Sequence, residues 1–310
     1  MINIQDKALR LARRFAAFTG IVLLTACTAF NYVGNDAPLA QKQLKPLLPS
    51  PRIAVVLGSG GPRGYAHLGI IKVLEAAGIE PDLIVGSSVG ALIGAFWANG
   101  FNASELDALS FAGGPLTLFD VSLFADRGWI HGQRLQDYVN AKLNNRSLEQ
   151  LRRPLIVVAS RYDDQSPVFF NQGNVGVAVR ASSAVPNIIS PVGINSTEYV
   201  DADVSLPVAV KVARQAGAQF VIAVDVSARP GSTSPDAKAS WIERDEKRRK
   251  LIEPEVAEAD FLLHPDLGYY ASPRSAYFVQ SRTLGEAYAR EELPKLTAKL
   301  RAAGLLPVMR

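Results

Sequence analysis

The chain is short of the residues from which many active sites are built. It has one cysteine, Cys27, in 310 residues. A lone cysteine excludes an internal disulfide and any cysteine-based metal site. There are only three histidines, His67, His131 and His264, and no metal-ligand cluster forms around them in the sequence. Long apolar runs are missing too: the one near the N-terminus, Phe15 to Leu24, is too short for a transmembrane helix. Nor is there a large charge surplus, since 33 Lys/Arg stand against 29 Asp/Glu. Residues 1–26 hold four of the bases and one acid, which leaves 29 against 28 in the remainder. Composition therefore supplies no case for nucleic-acid binding. With 48% hydrophobic and 20% charged residues, the chain can build one large core or two smaller ones.

The N-terminus accounts for the basic excess. Lys7, Arg10, Arg13 and Arg14 precede the apolar stretch, and small residues follow it, in the order of an export signal. Leu24-Thr25-Ala26-Cys27 resembles a bacterial lipobox, with the sole cysteine at its end. A plain export signal with an incidental cysteine is the alternative. The lipobox resemblance implies cleavage before Cys27, acylation of its thiol and amine, and stable membrane tethering. Thr28, rather than aspartate, after the cysteine implies the outer membrane, facing the periplasm. The expected division is a signal peptide over 1–26, a lipid-anchored linker with four prolines over 27–51, and a folded domain over 52–310.

From Ile53 the pattern changes. Ile53–Leu57 is a continuous apolar run, as expected of a strand buried on both faces. A glycine-rich loop, Gly58 to Gly64, leads into a helical pattern over 65–77 that stops at Gly78. Leu83–Val85 reads as a second strand and Val89–Asn99 as a second helix. Strand–helix alternation predicts an α/β fold with a mainly parallel sheet. Further strands are expected at 155–160, 168–171, 199–200 and 220–224, and a helical region over 275–303 interrupted at Pro294. The aromatic residues Phe119, Phe124 and Trp129 read as core or as the lining of an acyl channel.

Two segments carry candidate chemistry. Gly86-Ser87-Ser88-Val89-Gly90 fits G-x-S-x-G between a strand and a helix, where a sharp turn exposes a serine hydroxyl. An ordinary turn with Ser88 as N-cap fits the same residues. The loop Ser59-Gly60-Gly61-Pro62-Arg63-Gly64 fails the dinucleotide fingerprint at Arg63 and lacks the lysine of a P-loop. Its bare backbone N–H groups suit an oxyanion hole, with Gly60 and Gly61 as donors and Pro62 unable to donate. A serine–histidine triad would need the order Ser88…Asp201…His264, but Ser88 follows only the second strand, early for such a fold.

Together, G-S-G-G-P-R-G (58–64), G-S-S-V-G (86–90) and Y-V-D-A-D (199–203) resemble the patatin-like phospholipase family of the bacterial type. R-A-S-S-A-V-P (180–186) and L-P-V-A-V-K-V-A-R-Q-A-G-A (206–218) extend the likeness over about residues 52–280. The resemblance implies a three-layer α/β/α sandwich. It implies a serine acyl hydrolase acting on phospholipid or lysophospholipid esters, with no cofactor or metal. Ser88 would be the nucleophile, Asp201 its proton acceptor, and loop 59–64 the oxyanion hole. One departure stands out: Ala202-Asp203 replaces the family's usual Gly-Gly or Gly-Ala after the aspartate. Ala202 would be strained if that position needed positive φ, and Asp203 is expected to point to the same side as Asp201. A weakly active or inactive lipid-binding lipoprotein on this scaffold is the alternative. The charged run 243–250 reads as a solvated helix or a membrane-facing lid.

Overall fold

The computed structural model describes residues 31–34, 37–111 and 115–306. The signal-peptide and Cys27 acylation readings lie outside the described residues. Among the described residues ten strands form one sheet. They are β1 (Asn31–Tyr32), β2 (Ala40–Gln41), β3 (Ile53–Leu57), β4 (Leu83–Ser87), β5 (Leu155–Arg161), β6 (Pro167–Phe170), β7 (Val192–Ile194), β8 (Thr197–Val200), β9 (Phe220–Val224) and β10 (Phe261–Leu263). The path runs β1-β7-β8-β5-β4-β3-β9-β10, with β6 on β5 and β2 on β6. The strands β5-β4-β3-β9-β10 are parallel, and the antiparallel pairs gather around β5, β6, β7 and β8.

Alternation along the central strand creates the three layers. Ile53, Val55 and Leu57 face one core, while Ala54 and Val56 face the other. The first core is covered by α1 (Tyr65–Ala76), α2 (Val89–Ala98), α3 (Ala103–Phe111), α4 (Gln133–Lys142), α5 (Val175–Ser182) and α8 (Ser275–Ala302). The second is covered by α6 (Val210–Gln215) and by Ile252 of α7 (Ala239–Val256). The α/β/α sandwich expected from the resemblance is the observed fold.

Two expectations need correction, and one helix was not foreseen. Residues 31–51 are no free linker, because β1 pairs with β7 and β2 with β6. Leu44 and Leu47 pack on the second core, and the Leu47 N–H donates to Ala216 O at 3.0 Å. Two-residue strands carry no periodicity, so a proline-rich stretch that follows the sheet looks like spacer. Pro294 does not interrupt α8, which runs unbroken through it. Helix α5 escaped the sequence reading because Val175-Gly176-Val177 is helix-poor; the Asn174 side chain caps it by accepting Val177 N–H at 2.9 Å.

Candidate active site

The sheet forks where the candidate residues meet. β4 and β5 run parallel, with Ser87 opposite Val158. Beyond the end of β4, the same edge of β5 is taken by antiparallel β8, with Val200 opposite Ser160. Extending each ladder by one residue brings Ser88 and Asp201 from opposite directions to the same station, Ala159. There the Ser88 Oγ donates to Asp201 Oδ2 at 2.7 Å. The backbone fixes both ends: Asp201 N–H donates to Ala184 O at 3.0 Å, and Ser160 Oγ donates to Asp201 O at 2.9 Å.

Ser88 sits at φ 55°, ψ −121°, a left-handed conformation that a serine adopts only when its surroundings enforce it. Tight packing of the turn enforces it here. A Cβ on Gly90 would lie 2.1 Å from Leu57 O, so the start of α2 rests directly on the end of β3. The Ser88 N–H donates to Ser182 Oγ of α5 at 2.8 Å. Ser88 occupies the N-cap position of α2, but its side chain makes no capping hydrogen bond; the hydroxyl is turned to Asp201 instead.

The glycine loop lies against this turn, and a Cβ on Gly64 would meet Val89 Cγ2 at 2.4 Å. Not all of the loop can serve as donor. Ser59 N–H is taken by Pro207 O at 2.9 Å, and Arg63 N–H by Gly60 O at 3.2 Å. The Arg63 guanidinium reaches away to Tyr269 O and Gly268 O. Gly64 is buried under Val89. Among the described residues no acceptor occupies the N–H of Gly60 or of Gly61, and Gly61 lines the same cavity as Ser88. Gly61 has φ +53°, which a glycine adopts without strain. The broad expectation over 59–64 thus narrows to two backbone donors, with the rest as support.

Asp201 is 1% exposed. Burial, and then the negative charge of Asp203, push its carboxyl up to about 7; hydrogen bonds from Asp203 N–H and Ser88 and the charge of Arg248 oppose the rise. The Asp203 N–H donates to Asp201 Oδ1 at 2.7 Å. The Asp203 side chain does not share the Ser88 side as expected. Its carboxylate accepts from Ser59 Oγ and from Arg248 Nε, the latter at 2.7 Å. Arg248 Nη2 also donates to Ser59 O at 2.8 Å. Ala202 is free of positive φ, lies in a 3-10 turn and buries its methyl in the second core. The strain foreseen there does not arise.

Arg248 is the residue sequence reasoning missed. It lies within the charged run on α7, read as a solvated helix or a membrane-facing lid, yet its side chain is only 11% exposed. Nothing in a block of alternating charges marks which arginine turns inward.

The histidines stand apart from Ser88. His67 is fully buried and donates Nε2–H to Gly58 O at 2.9 Å, since a carbonyl can only accept. Burial pushes its pKa down to about 4, so it is neutral and braces the glycine loop. His264 Nε2 lies 3.1 Å from Ser227 O and 3.6 Å from Asp225 Oδ2, at the ends of β10 and β9. Among the described residues no histidine bonds to Ser88 or Asp201. The triad arrangement is therefore absent from this site.

Ser88 opens onto a cavity of about 220 Å³ walled by Tyr65, Leu68, Leu92, Phe96, Phe119 and Phe278 among others. The Tyr65 and Tyr138 hydroxyls donate to Ser110 O and Leu109 O, at 2.9 and 3.3 Å, so the phenols turn apolar surface inward. Phe119 lines this cavity; Phe124 and Trp129 are exposed and belong neither to it nor to the core. Among the described residues no group of three His, Cys, Asp or Glu could hold a metal ion. A hydroxyl on a buried carboxylate, beside free N–H groups and an apolar cavity, can attack an acyl carbonyl and hold its oxyanion.

The sequence profile described as Patatin-like phospholipase matches residues 55–214, just over half of the chain. An uncharacterized NTE family protein of Mycobacterium tuberculosis is 32% identical over 205 residues, covering 63% of this chain and 56% of that protein. The chain thus spans a little over half the length of that relative. Patatin-like phospholipase domain-containing protein 6 of Homo sapiens is 28% identical over 201 residues, 61% of this chain and 14% of that one. Lysophospholipase nte1 of Aspergillus fumigatus is 28% identical over 186 residues, 58% of this chain and 12% of its own. In fold, the crystal structure of VipD from Legionella pneumophila aligns with TM-score 0.56 and 13% identity, over 88% of this chain and 72% of that one. The chain belongs to the patatin-like phospholipase family.

Proposed function

We propose that this protein is a lipid acyl hydrolase that cleaves acyl esters of phospholipids or lysophospholipids with a Ser88–Asp201 dyad. The observation that carries the reading is the 2.7 Å hydrogen bond from Ser88 Oγ to a carboxylate whose pKa burial has lifted to about 7. An ordinary aspartate is too weak a base for a serine hydroxyl; one titrating near neutrality is well matched to take and return a proton. Ser88 Oγ attacks the ester carbonyl as its proton passes to Asp201 Oδ2. The N–H groups of Gly60 and Gly61 hold the tetrahedral oxyanion. Asp201 returns the proton to the departing alcohol, leaving an acyl-serine. Water then attacks that ester, giving its proton to Asp201, and fatty acid leaves as Ser88 is reprotonated.

The apolar cavity takes the acyl chain, which fits a lipid substrate better than a polar ester. The names of the relatives, a lysophospholipase among them, support the same class. The lipobox-like Leu24–Cys27 supports a lipid-anchored protein of the bacterial envelope, tethered at the outer membrane beside its substrate. A fluorophosphonate probe tests the dyad. Wild-type protein should label at Ser88 and hydrolyse p-nitrophenyl butyrate, and Ser88→Ala, folded by circular dichroism, should do neither. Labelling elsewhere, or undiminished hydrolysis by Ser88→Ala, overturns the reading.

A further inference from the structure

Beyond the cavity mouth, the segment from Val121 to Trp129 turns apolar side chains outward. Val121, Leu123, Phe124 and Trp129 expose 63–91% of their surface, and Ile188, from a second segment, 48%. The two segments are joined: Trp129 and Ile130 N–H both donate to Ile188 O, at 2.8 and 3.0 Å. Isolated exposed apolar residues are ordinary, but a cluster this large on one loop marks a contact surface.

The loop is held rigidly in that presentation. At its base, the Asp120 carboxylate accepts the N–H groups of Gly132 and Gln133 at 2.7 and 2.9 Å. Near its tip, Arg127 bonds Asp126 and Glu198 of β8 and lies 4.6 Å from the centroid of the Tyr162 ring. Arg127 is thus tied back to the protein and Ser122 Oγ accepts Phe124 N–H within the loop, while the exposed apolar side chains are left for something else.

Two observations identify the occupant. The loop is continuous with the cavity, since Phe119 at its start and Ile189, next to Ile188, both line it. β1, the first described strand, also lies on this side. Tyr32 donates its hydroxyl to Gln133 Oε1 at 2.9 Å and accepts from Arg180, whose Nη2 also bonds His131 O. Cys27 is four residues before Asn31, a reach of at most about 14 Å. An acyl anchor there would hold the loop and the cavity mouth against the bilayer together.

Resting on the lipid hydrolase reading above, we infer that the Val121–Trp129 loop and Ile188 insert into the membrane surface and seat the Ser88 cavity on it. Leu123 and Phe124 enter the acyl-chain boundary, and Trp129 lies at headgroup level, where its ring is amphipathic. Because Arg127 is outnumbered by Asp126 and Glu198, this loop adds no attraction to anionic lipid, and added salt does not weaken its binding.

The test uses the full chain as Cys27→Ser, so that an acyl tether does not mask weaker binding. Its cosedimentation with phosphatidylethanolamine–phosphatidylglycerol vesicles is compared with that of the same protein carrying Leu123→Asp and Phe124→Asp. Vesicle partitioning should fall at least tenfold, with p-nitrophenyl butyrate hydrolysis within twofold. Independently, vesicles of bromine-labelled lipid should quench Trp129 fluorescence, a signal absent in Trp129→Phe. Equal partitioning of the two proteins, no Trp129 quenching, or a lipid-free dimer that the Asp substitutions dissolve would each overturn the docking surface. Vesicle binding without any ester hydrolysis by wild type would instead overturn the hydrolase reading and leave the surface standing.

Discussion

On one side of Ser88 the wall is Tyr65, Leu68, Leu92 and Phe96, and even its phenols point their hydroxyls away. On the far side of Asp201 the wall is Ser59, Asp203 and Arg248, a hydrogen-bonded ion pair reaching in from α7. Both act on one carboxylate. The apolar packing withholds water and favours neutral Asp201. The polar wall contributes one charge of each sign, and these pull in opposite directions. Burial is the larger influence and the ion pair the adjustment. The Asp203 that departs from the usual family pattern is therefore built into the site: it raises the Asp201 pKa, bonds Ser59 of the glycine loop, and is itself held by Arg248.

The largest change comes from deleting the group on which both walls act. Asp201→Asn should lower kcat/KM by about 10²–10⁴-fold, the usual range for a lost general base. It should also alter stability in a predictable direction. The folded carboxyl titrates at about 7 against an ordinary 3.8, so the folded state holds a proton that the unfolded chain releases between those values. Wild-type stability then falls as pH rises from about 4 to about 7, by up to about 4 kcal/mol. The substituted amide has no charge to desolvate. The variant should melt above wild type at pH 8, and the gap should close toward pH 4. Parallel melting curves across that range would refute a lifted Asp201 pKa.

The polar wall can be taken apart with two substitutions of opposite sign. Arg248→Met removes the cation, so the pH at which kcat/KM rises should move alkaline. Asp203→Asn removes the anion and leaves the cation, so the limb should move acid. Each shift is expected to be about one pH unit or less. Both variants should lose about tenfold in kcat/KM, because Ser59 loses a partner and the donors of Gly60 and Gly61 are held less firmly. pH–rate profiles on butyrate ester read both effects. Shifts in the same direction would remove the electrostatic role from the pair and leave only a structural one.

The turn at Ser88 and the glycine loop were legible in the sequence, Asp201 only through the family resemblance; of the apolar wall only Phe119 was foreseen, and most of the polar wall was not. The reason is physical. Ser88 and the glycine loop announce themselves because sharp turns and close backbone approach demand particular residues at fixed spacing, as at Gly90 against Leu57. The central strands announce themselves by apolar runs. Arg248 is recruited by a helix packed more than forty residues beyond Asp203, and its neighbours Lys247 and Arg249 carry the same charge. Which of them turns inward is decided by helix rotation, which the local sequence leaves open. Ala202 misled for a related reason: a glycine's absence signals strain only where φ is positive, and the 3-10 turn after Asp201 needs none. Strands β1 and β2 are defined by their pairing with β7 and β6 rather than by any pattern of their own.

The smallest expected effect sharpens the apolar side alone. Leu92 is on α2, one turn past Ser88, and faces the cavity without contributing a donor or an acceptor. In Leu92→Trp the added ring competes with the acyl chain for a space of about 220 Å³. Short esters need only the volume beside Ser88, so butyrate hydrolysis should stay within about threefold of wild type. A palmitoyl ester has to run deeper, and its kcat/KM should fall about tenfold relative to butyrate. Overpacking should cost about 1–3 kcal/mol of stability, read as a lowered Tm. The pH limb should not move, because the substitution adds no charge and leaves Asp201 as buried as before. A moved limb with unchanged chain-length preference would mean that the apolar wall acts on the base and not on the substrate.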